Sequence, residues 1–276
     1  MRYLRMVVLG VFVLSLGFYA WANLQYYGDR NTDIPTITSD TELLNISVND
    51  DTQALLQGLT ARDETDGDLT DQIMVASVSH FIETDTVNVK YVVFDSHNNA
   101  ASLVRKVHYT DYRSPRFSLE TPAVFVRGDS FDLIKRLKVE DCIDGDISSQ
   151  IRVLSNTVNI YTAGVYPVVL EVTNSCGDIS QLTLGVTVLE KENTAAVTLD
   201  QYIVYVEQGA DFDPYSYIRS VTDANNLSLS AENVQIKGSL DMNTPGTYRL
   251  EYLYTDQNVS GQTAMTVVVE SREGVA

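Results

Sequence analysis

Hydrophobic and polar residues alternate in three stretches of this chain that can be laid over one another. The stretches read TVNVKYVVFD, VYPVVLEVTN and TYRLEYLYTD. In each of them every second residue is apolar or aromatic, and most of the residues between are polar or charged. Such period-two alternation is typical of a β-strand with one face on a hydrophobic core and the other in water. Each predicted strand closes on an acidic or amide residue: Asp95, Asn174 and Asp256.

These strands belong to a repeat of about 80 residues. An acidic phrase, Asp-x-x-Asp-Gly-Asp, begins at Asp63 and recurs at Asp141. We therefore predict three domains, called here the first, second and third repeats: residues 35–112, 113–192 and 193–271, with a tail at 272–276. The junctions DYRSP and EKENT are only a few residues long, which favours a semi-rigid arrangement over a flexible string.

Within each repeat the apolar segments are short and separated by turn residues. In the second repeat the pattern predicts these strands: Arg116–Leu119, Ala123–Val126, Ile134–Val139, Ile151–Ser155, Asn159–Tyr161, Val165–Thr173 and Ser180–Leu189. Short strands at this spacing, without a helical period, indicate an antiparallel sandwich of the immunoglobulin type. Tyr166 and Tyr248 stand where such sandwiches often place a corner tyrosine.

The N-terminal segment differs from the rest of the chain. After two arginines among the first five residues, no charged residue occurs before Asp29. This apolar run is long enough to cross a bilayer as a helix, and the arginines place the N-terminus in the cytoplasm. We predict a transmembrane signal-anchor at residues 1–24 and a linker at 25–34, which gives a single-pass membrane protein with its domains outside. The alternative is a secreted protein, cleaved near Ala22.

The predicted fold class is therefore all-β: three tandem immunoglobulin-like antiparallel β-sandwiches after one N-terminal transmembrane helix. The formal net charge of the 276 residues is −18, and no block of basic residues occurs. Binding to nucleic acid through its phosphates is excluded by this balance. The acidic composition suits an exported protein that self-repulsion keeps soluble.

The motifs of the repeats resemble those of bacterial immunoglobulin-like domains, which occur in tandem on surface proteins and as accessory modules of some insecticidal crystal toxins. Hyalin-type repeats are similar in pattern. The residues that carry the resemblance are Pro35 and Ile37, the set Val126, Gly128, Asp129 and Phe131, both acidic phrases, the pair Gly164 and Tyr166, and DSHNNAA from Asp95. The third repeat departs from the pattern, since DANNLSLS from Asp223 lacks Asp-Gly-Asp. The resemblance implies non-catalytic surface or adhesive modules.

The acidic phrases are candidate cation sites. In an immunoglobulin-like sandwich the loop after the second strand shares one end with the loop after the sixth, so the carboxylates of both loops converge. The candidate calcium ligands are Asp63, Asp66, Asp68 and Asp95 in the first repeat, and Asp141, Asp144 and Asp146, with Asp178 nearby, in the second. The alternative is that these carboxylates accept backbone N–H groups and order the loops without a metal. No resident cofactor is expected otherwise.

The same geometry applies to the cysteines, which both lie in the second repeat. Cys142 is inside the acidic phrase and Cys176 follows the sixth strand, so a disulfide between them is expected in an outward-facing protein. Two free thiols are the alternative. The histidines, His80, His97 and His108, form no recognisable catalytic order.

These observations predict a membrane-anchored extracellular scaffold, spacer or binding module without an active site. A pair of catalytic carboxylates would need a concave pocket, and loop tips at the end of a sandwich do not provide one. Two alternatives remain open. One is an adhesin that binds a protein or glycan through the third repeat, where tyrosines are abundant: Tyr202, Tyr205, Tyr215, Tyr217, Tyr252 and Tyr254. The other is a secreted accessory module with weak calcium sites.

Overall fold

The computed structural model describes residues 2–28, 33–256 and 259–271. The predicted tail at 272–276 and part of the predicted linker, residues 29–32, lie outside the described residues. Helix α1 covers Arg2–Gly28. Its segment Met6–Leu24 is long and apolar enough to cross a membrane, a test of length and composition that a signal sequence also meets.

The chain divides into two compact units, Met1–Thr110 and Asp111–Ala276. The strands of the first unit are β1 (Thr36–Ser39), β2 (Leu43–Ile46), β3 (Leu59–Asp63), β4 (Gly67–Asp68), β5 (Met74–Glu83), β6 (Thr86–Phe94) and β7 (Ala100–Tyr109). They form two sheets, in the order β1-β3-β4 and β2-β7-β6-β5. All pairs are antiparallel except that of β2 with β7, which is parallel.

The second unit begins with the strands of the second repeat: β8 (Arg116–Leu119), β9 (Val124–Val126), β10 (Leu137–Asp141), β11 (Gly145–Asp146), β12 (Arg152–Asn156), β13 (Gly164–Thr173) and β14 (Ile179–Leu189). They form the sheets β11-β10-β8 and β12-β13-β14-β9. As in the first unit, the second strand of the set pairs in parallel with the last, β9 with β14.

The strands of the third repeat follow in the same unit: β15 (Ala195–Leu199), β16 (Ile203–Glu207), β17 (Ile218–Asp223), β18 (Val234–Lys237), β19 (Gly246–Asp256) and β20 (Val259–Glu270). Their sheets are β15-β17 and β16-β20-β19-β18, with β16 parallel to β20. Short 3₁₀ turns connect the strands: Ala54–Leu56, Thr70–Gln72, Ile134–Arg136, Ser148–Gln150, Pro214–Tyr217 and Ala231–Asn233.

The fold is thus all-β, with sandwich-like sheets and one N-terminal apolar helix. Among the described residues no sheet crosses from one predicted repeat into another. The buried apolar residues of the second and third repeats nevertheless form one continuous cluster. The division into three domains therefore stays a prediction, and the compact units number two.

The alternating pattern marks the buried face of the long strands. In β6 the alternate residues Val87, Val89, Tyr91 and Val93 are fully buried. The matching residues of β13 and β19 are buried as well: Val168, Leu170, Val172, Leu250, Tyr252 and Tyr254. Apolar burial of this kind is the main driving force for such a fold.

The predicted corner tyrosines, Tyr166 and Tyr248, make the hydrogen bond to the backbone a few residues upstream that is typical of a corner tyrosine. The hydroxyl of Tyr166 donates to the carbonyl oxygen of Thr162 at 2.8 Å, and that of Tyr248 donates to the carbonyl oxygen of Thr244 at 2.8 Å. In both cases the bond reaches back four residues and fixes the loop that enters the long strand.

One predicted strand of the second repeat, Asn159–Tyr161, is wrong. Asn159 Oδ1 accepts the backbone N–H of Tyr161 at 3.0 Å, and the carbonyl oxygen of Asn159 accepts the N–H of Thr162 at 3.2 Å. An asparagine that bonds its own backbone in this way favours a turn over a strand.

Candidate functional site

The acidic phrase of the first repeat folds into a tight corner between β3 and β4, where Asp63 lies opposite Gly67. Gly67 has φ 78°, a left-handed conformation that glycine adopts without a steric penalty. The buried carboxylate of Asp63 accepts, through Oδ1, the backbone N–H groups of Thr65 at 2.8 Å and Asp66 at 2.9 Å. The first carboxylate of the phrase therefore holds the loop that follows it.

The second repeat forms the same corner between β10 and β11, where Asp141 lies opposite Gly145 at φ 71°. Oδ1 of the buried Asp141 accepts the N–H groups of Ile143 at 2.9 Å and Asp144 at 2.8 Å. The two phrases are thus equivalent in structure as well as in sequence.

The last aspartate of each phrase accepts the backbone N–H of the first residue of the 3₁₀ turn that follows. Oδ1 of Asp68 accepts the N–H of Thr70 at 3.0 Å, and Oδ1 of Asp146 accepts the N–H of Ser148 at 2.9 Å. Hydrogen bonds from these hydroxyl residues hold the pKa of both carboxyls below the ordinary value. Asp68 and Asp146 therefore act within their own loops.

The middle aspartate of each phrase bridges to the loop after the sixth strand. The carboxylate of Asp66 accepts the backbone N–H of Ser96 at 2.7 Å and its hydroxyl at 2.9 Å. Asp144 accepts the N–H of Ser175 at 2.6 Å and its hydroxyl at 2.7 Å. The predicted meeting of these two loops at one end of each sandwich is present, and the serines are partners that the sequence reasoning missed. The sequence did offer a signal for these serines, because Ser96 follows Asp95 directly and Ser175 follows Asn174 directly.

Asp95 closes the sixth strand of the first repeat with a buried carboxylate. Its Oδ1 accepts the N–H groups of His97 at 2.8 Å and Asn99 at 2.7 Å, and its Oδ2 accepts Nδ2 of Asn99 at 2.7 Å. Burial acts to raise the pKa of Asp95, but the hydrogen bonds from Asn99 and His97 outweigh it, and the pKa is lowered.

In the second repeat the same place is taken by Asn174, which is also buried. Its Nδ2 donates to Oδ2 of Asp141 at 3.1 Å and to the hydroxyl of Tyr112 at 2.7 Å. The Tyr112 hydroxyl in turn donates to Oδ2 of Asp178 at 2.8 Å. Burial, followed by the hydrogen bond to Asp178, raises the pKa of Tyr112. In this network the amide of Asn174, the hydroxyl of Tyr112, Oδ2 of Asp141 and Oδ2 of Asp178 all have partners.

The third repeat replaces the acidic phrase with another turn. Oδ1 of Asp223 accepts the N–H groups of Asn225 at 2.8 Å and Leu227 at 2.9 Å, and Asn226 takes φ 60°. This is the pattern of the turn at Asp95, whose carboxylate also accepts the N–H groups two and four residues on. The backbone bond from Leu227 is the main cause of the lowered pKa of Asp223. The loss of Asp-Gly-Asp thus leaves an ordered loop.

These contacts define what the acidic loops can do chemically. Their carboxylates accept N–H groups from the loop backbone, and these hydrogen bonds order the loops. A general acid would need a carboxyl with a raised pKa. Hydrogen bonds instead lower the pKa of Asp68, Asp95, Asp146 and Asp223.

One group in the first repeat could hold a metal ion. Ligand atoms of Asp66, Asp95 and His97 all lie within 4.8 Å of one another. The structure thus brings together two of the predicted ligands, and adds His97, which the sequence reasoning left without a role. The predicted ligands Asp141, Asp144 and Asp146 form no such group among the described residues.

The predicted disulfide between Cys142 and Cys176 is absent, and both thiols are free. Cys142 is exposed and its Sγ donates to the carbonyl oxygen of Arg113 at 3.1 Å, whereas Cys176 is buried. Burial is the main cause of the raised pKa of both thiols, which lowers their reactivity. The two loops that carry the cysteines do meet, through Asp144 and Ser175, but the thiols do not bond to each other.

The tyrosines of the third repeat are mostly core residues. Tyr202, Tyr252 and Tyr254 are buried, and the hydroxyl of Tyr252 donates to the carbonyl oxygen of Pro214 at 2.8 Å. Of the six tyrosines considered for recognition, only Tyr215 is exposed, at 53%. Burial of these rings favours packing over ligand capture.

The second and third repeats share an interface, called here the joint, which the sequence did not predict. The N–H of Phe117 donates to the hydroxyl of Tyr205 at 2.8 Å. Arg116 lies over the Tyr205 ring, 5.0 Å from its centroid, and its Nη2 pairs with Oε2 of Glu270 at 2.5 Å. Burial raises the pKa of Tyr205 to about 12, so its hydroxyl stays protonated at neutral pH.

A second contact reinforces this joint. Nη2 of Arg249 donates to the hydroxyl of the buried Thr187 at 2.7 Å. The same side chain lies so close to Gly185 that a Cβ there would come within 2.7 Å of Arg249 Cδ. Asn193, at the start of the third repeat, donates through Nδ2 to the carbonyl oxygen of Gln262 in the same repeat at 2.9 Å and so fixes the end of the EKENT junction. Polar contacts and apolar packing therefore act together at this boundary.

Comparison with protein families supports this fold. Residues 200–269 match the family model described as "Bacterial surface protein, Ig-like domain". The resemblance to bacterial immunoglobulin-like domains is thereby confirmed for this segment. The match lies in the repeat that lacks Asp-Gly-Asp, so it does not depend on the acidic phrase.

Two curated proteins are similar to parts of the chain. The pesticidal crystal protein Cry22Aa of Bacillus thuringiensis is 36% identical over 124 residues, which are 44% of this chain and 16% of that protein. An uncharacterised 81.3 kDa protein of Acholeplasma phage L2 is 24% identical over 245 residues, which are 84% of this chain and 32% of that protein. The chain thus spans less than a third of the length of these relatives.

Solved structures give more distant similarity. The CBM51-2 and INT domains of Clostridium perfringens ZmpB, solved with GlcNAc, match 54% of this chain and 26% of their own at 18% identity and TM-score 0.23. The lipoprotein BT2262 of Bacteroides thetaiotaomicron matches 54% of this chain and 98% of its own at 17% identity and TM-score 0.23.

Proposed function

We propose that this chain is a membrane-anchored bacterial surface protein whose tandem immunoglobulin-like domains serve as a non-catalytic spacer or scaffold. The match of residues 200–269 to a surface-protein family supports the location outside the cell. The apolar segment Met6–Leu24 would supply the membrane attachment, with the β-domains on the extracellular side.

The observation that carries the spacer role is the joint between the second and third repeats. Domains joined by a bare linker move independently unless a substantial interface holds them. Here a backbone N–H of one repeat donates to a largely buried tyrosine hydroxyl of the next, at 2.8 Å between Phe117 and Tyr205. A spacer needs a fixed orientation between adjacent domains, whereas a flexible linker between them does not provide one.

The tyrosines of the third repeat argue for the same role. An adhesin head needs aromatic side chains that a ligand can reach. In the third repeat most of the candidate rings are engaged in the core or in the joint, as Tyr252 and Tyr205 illustrate. The binding alternative therefore has less support from the structure than the spacer.

The location is tested in intact cells with an epitope placed after Ala276 of the full chain. We expect the protein in the membrane fraction, with the epitope open to antibody and to added protease without lysis. The intact mass of the isolated protein should include the N-terminal segment. A cleaved protein in the culture medium, or an epitope protected from protease, would contradict the anchored arrangement.

A charged substitution supplies the control for this experiment. Leu14→Lys places a charge in the middle of the apolar segment Met6–Leu24. Because a lysine at the centre of a spanning helix costs about 2.5–3.5 kcal/mol, the variant should lose membrane retention. Leu24→Lys, at the end of the segment, should retain it, because a terminal lysine reaches the interface.

A further inference from the structure

The sheet β2-β7-β6-β5 of the first repeat carries exposed apolar side chains on the face that points away from the core. Three of them are large: Met74 is 52% exposed, Phe94 42% and Val104 56%. Met74 pairs with the half-buried Val92, which lies two residues before Phe94 on the same face of β6, and Val104 lies on the same face of the adjacent strand β7. These four residues are called here the apolar face. Adjacent exposed apolar side chains of this kind mark an interaction surface.

The second repeat has polar residues at the equivalent positions. The strand pairs of its sheet match those of the first repeat, with β12, β13 and β14 in the places of β5, β6 and β7. The residues that replace Met74, Val92, Phe94 and Val104 are, in that order, Arg152, Glu171, Thr173 and Thr183. The fold therefore does not require apolar side chains at these positions, and the apolar face is a property of the first repeat.

The charge of this face is opposite to that of the whole chain. The outward residues of β6 and β7 include two lysines and no carboxylate: Thr86, Asn88, Lys90, Val92, Phe94, Ala100, Ser102, Val104, Lys106 and His108. Lys106 pairs with Glu83 at the far end of β5, whereas Lys90, which lies opposite Val104, forms no ion pair among the described residues. In a chain of net charge −18, this face is therefore one that an anionic surface can approach without repulsion.

Chain length keeps the first repeat close to the apolar segment Met6–Leu24. The helical residues from Leu24 to Gly28 rise by about 6 Å, and the five residues from Gly28 to Asp33 reach at most about 18 Å. The carbonyl oxygen of Asp33 accepts Nδ2 of Asn99 at 3.1 Å, in the loop that joins Phe94 to β7. The chain thus enters the repeat at the end of the sheet where Phe94 lies, within about 24 Å of the apolar segment.

We propose that the first repeat lies on the membrane surface, with the apolar face against the headgroups and upper acyl chains of anionic lipids. The inference rests on the proposed membrane attachment through Met6–Leu24. Exposed apolar side chains gain from burial at the headgroup boundary, and Lys90 can extend its amine to lipid phosphates. Because the short tether keeps the repeat near the bilayer, even a weak contact is populated. The contact would fix the tilt of the first repeat relative to the bilayer.

The test is fluorescence quenching by headgroup-labelled nitroxide lipid in nanodiscs of phosphatidylcholine and phosphatidylglycerol. The full chain carries Cys142→Ser and Cys176→Ala, and a fluorophore is attached to Ser102→Cys, which pairs with Val92 of the apolar face. Gln181→Cys is the matched label in the second repeat, because Gln181 pairs with Glu171 in the same way. We expect the nitroxide to reduce the fluorescence of the first label by about twofold or more and to leave that of the second unchanged.

A triple variant gives the first repeat the polar residues of the second: Met74→Arg, Phe94→Thr and Val104→Thr. Because these side chains are exposed, the melting temperature should change little. Quenching of the Ser102→Cys label should fall to the level of the Gln181→Cys label. In discs of phosphatidylcholine alone the quenching should be weaker, and Lys90→Ser should remove this dependence on anionic lipid.

Several results would overturn the proposal. If the chain co-elutes with the discs but the Ser102→Cys label is not quenched, the surface contact is wrong and the membrane attachment stands. A chain that does not co-elute with the discs would overturn both. Undiminished quenching in the triple variant would show that the apolar face is not what contacts lipid. Energy transfer between labels in discs that hold two chains, without lipid quenching in discs that hold one, would show that a second copy covers this face instead.

Discussion

The hydroxyl of Tyr205 accepts the backbone N–H of Phe117 at 2.8 Å, which links the third repeat to the first strand of the second. This hydrogen bond and the buried apolar cluster that the two repeats share hold one repeat against the other. The guanidinium of Arg116 lies over the same ring and pairs with Glu270 near the end of the last strand. The joint thus involves the first strand of one repeat and the second and last strands of the next.

Tyr205→Phe should weaken this joint. The variant keeps the ring under Arg116 but removes the acceptor of the Phe117 N–H, which should cost about 1–2 kcal/mol in the unfolding of the second unit. The measurement is urea unfolding of the full chain in detergent. Tyr161→Phe is the control, because Tyr161 is 76% exposed and should tolerate the change. Equal stability of the two variants would contradict the role of this hydrogen bond.

The acidic loops should make stability depend on pH. The pKa of Asp146 is lowered by hydrogen bonds from Ser148, so its carboxylate adds stability above the unfolded pKa, about 3.9, and loses it as the pH falls through the folded pKa. Asp146→Asn keeps the acceptor but does not titrate. The melting temperatures of variant and wild type should therefore differ at pH 7 and converge towards pH 2.

Asp68→Asn provides a replicate in the first repeat, because Asp68 makes the same bond to Thr70. The same convergence is expected there. A difference between variant and wild type that stays constant from pH 7 to pH 2 would show that ionisation of these carboxylates contributes nothing to the folded loops.

Close backbone packing in the third repeat predicts that Gly261 tolerates no side chain. A Cβ at this position would lie 2.0 Å from the carbonyl oxygen of Ala195. A shift of either backbone would disturb the pair of Gly261 with Tyr254 or the pair of Ala195 with Asp223. Gly261→Ala should cost about 3 kcal/mol in urea unfolding.

Gly209→Ala is the control for this substitution. Gly209 has open space around its Cβ position, and the left-handed φ of 78° alone should cost about 1 kcal/mol. A Gly261→Ala variant that is no less stable than Gly209→Ala would disprove the close approach.

Much of the fold follows from local rules that the sequence displays. The period-two pattern of β13 and β14 depends on burial of alternate side chains, and the predicted bounds of β8, Arg116–Leu119, are those observed. The failure at Asn159–Tyr161 has a local cause too, since Asn159 bonds the turn that follows it. β-Propensity alone could not show that competing bond.

The joint and the difference between the acidic loops could not be predicted in this way. Which residue meets Tyr205 depends on how two folded repeats pack, and no period in the sequence records it. The acidic phrases of Asp63 and Asp141 look alike in sequence, but Oδ2 of Asp141 accepts Nδ2 of Asn174, whereas Oδ2 of Asp63 has no hydrogen-bond donor among the described residues. The expected disulfide failed because proximity of loops does not fix the direction of two thiols.

The most direct test of the spacer account is the distance between spin labels on the second and third repeats. The labels are placed at the exposed positions Arg152 and Lys237, in a chain that carries Cys142→Ser and Cys176→Ala. The account predicts a single narrow distance distribution in double electron–electron resonance, which broadens when Arg116→Ala and Tyr205→Phe are combined. A broad distribution in the chain with the intact joint would contradict it.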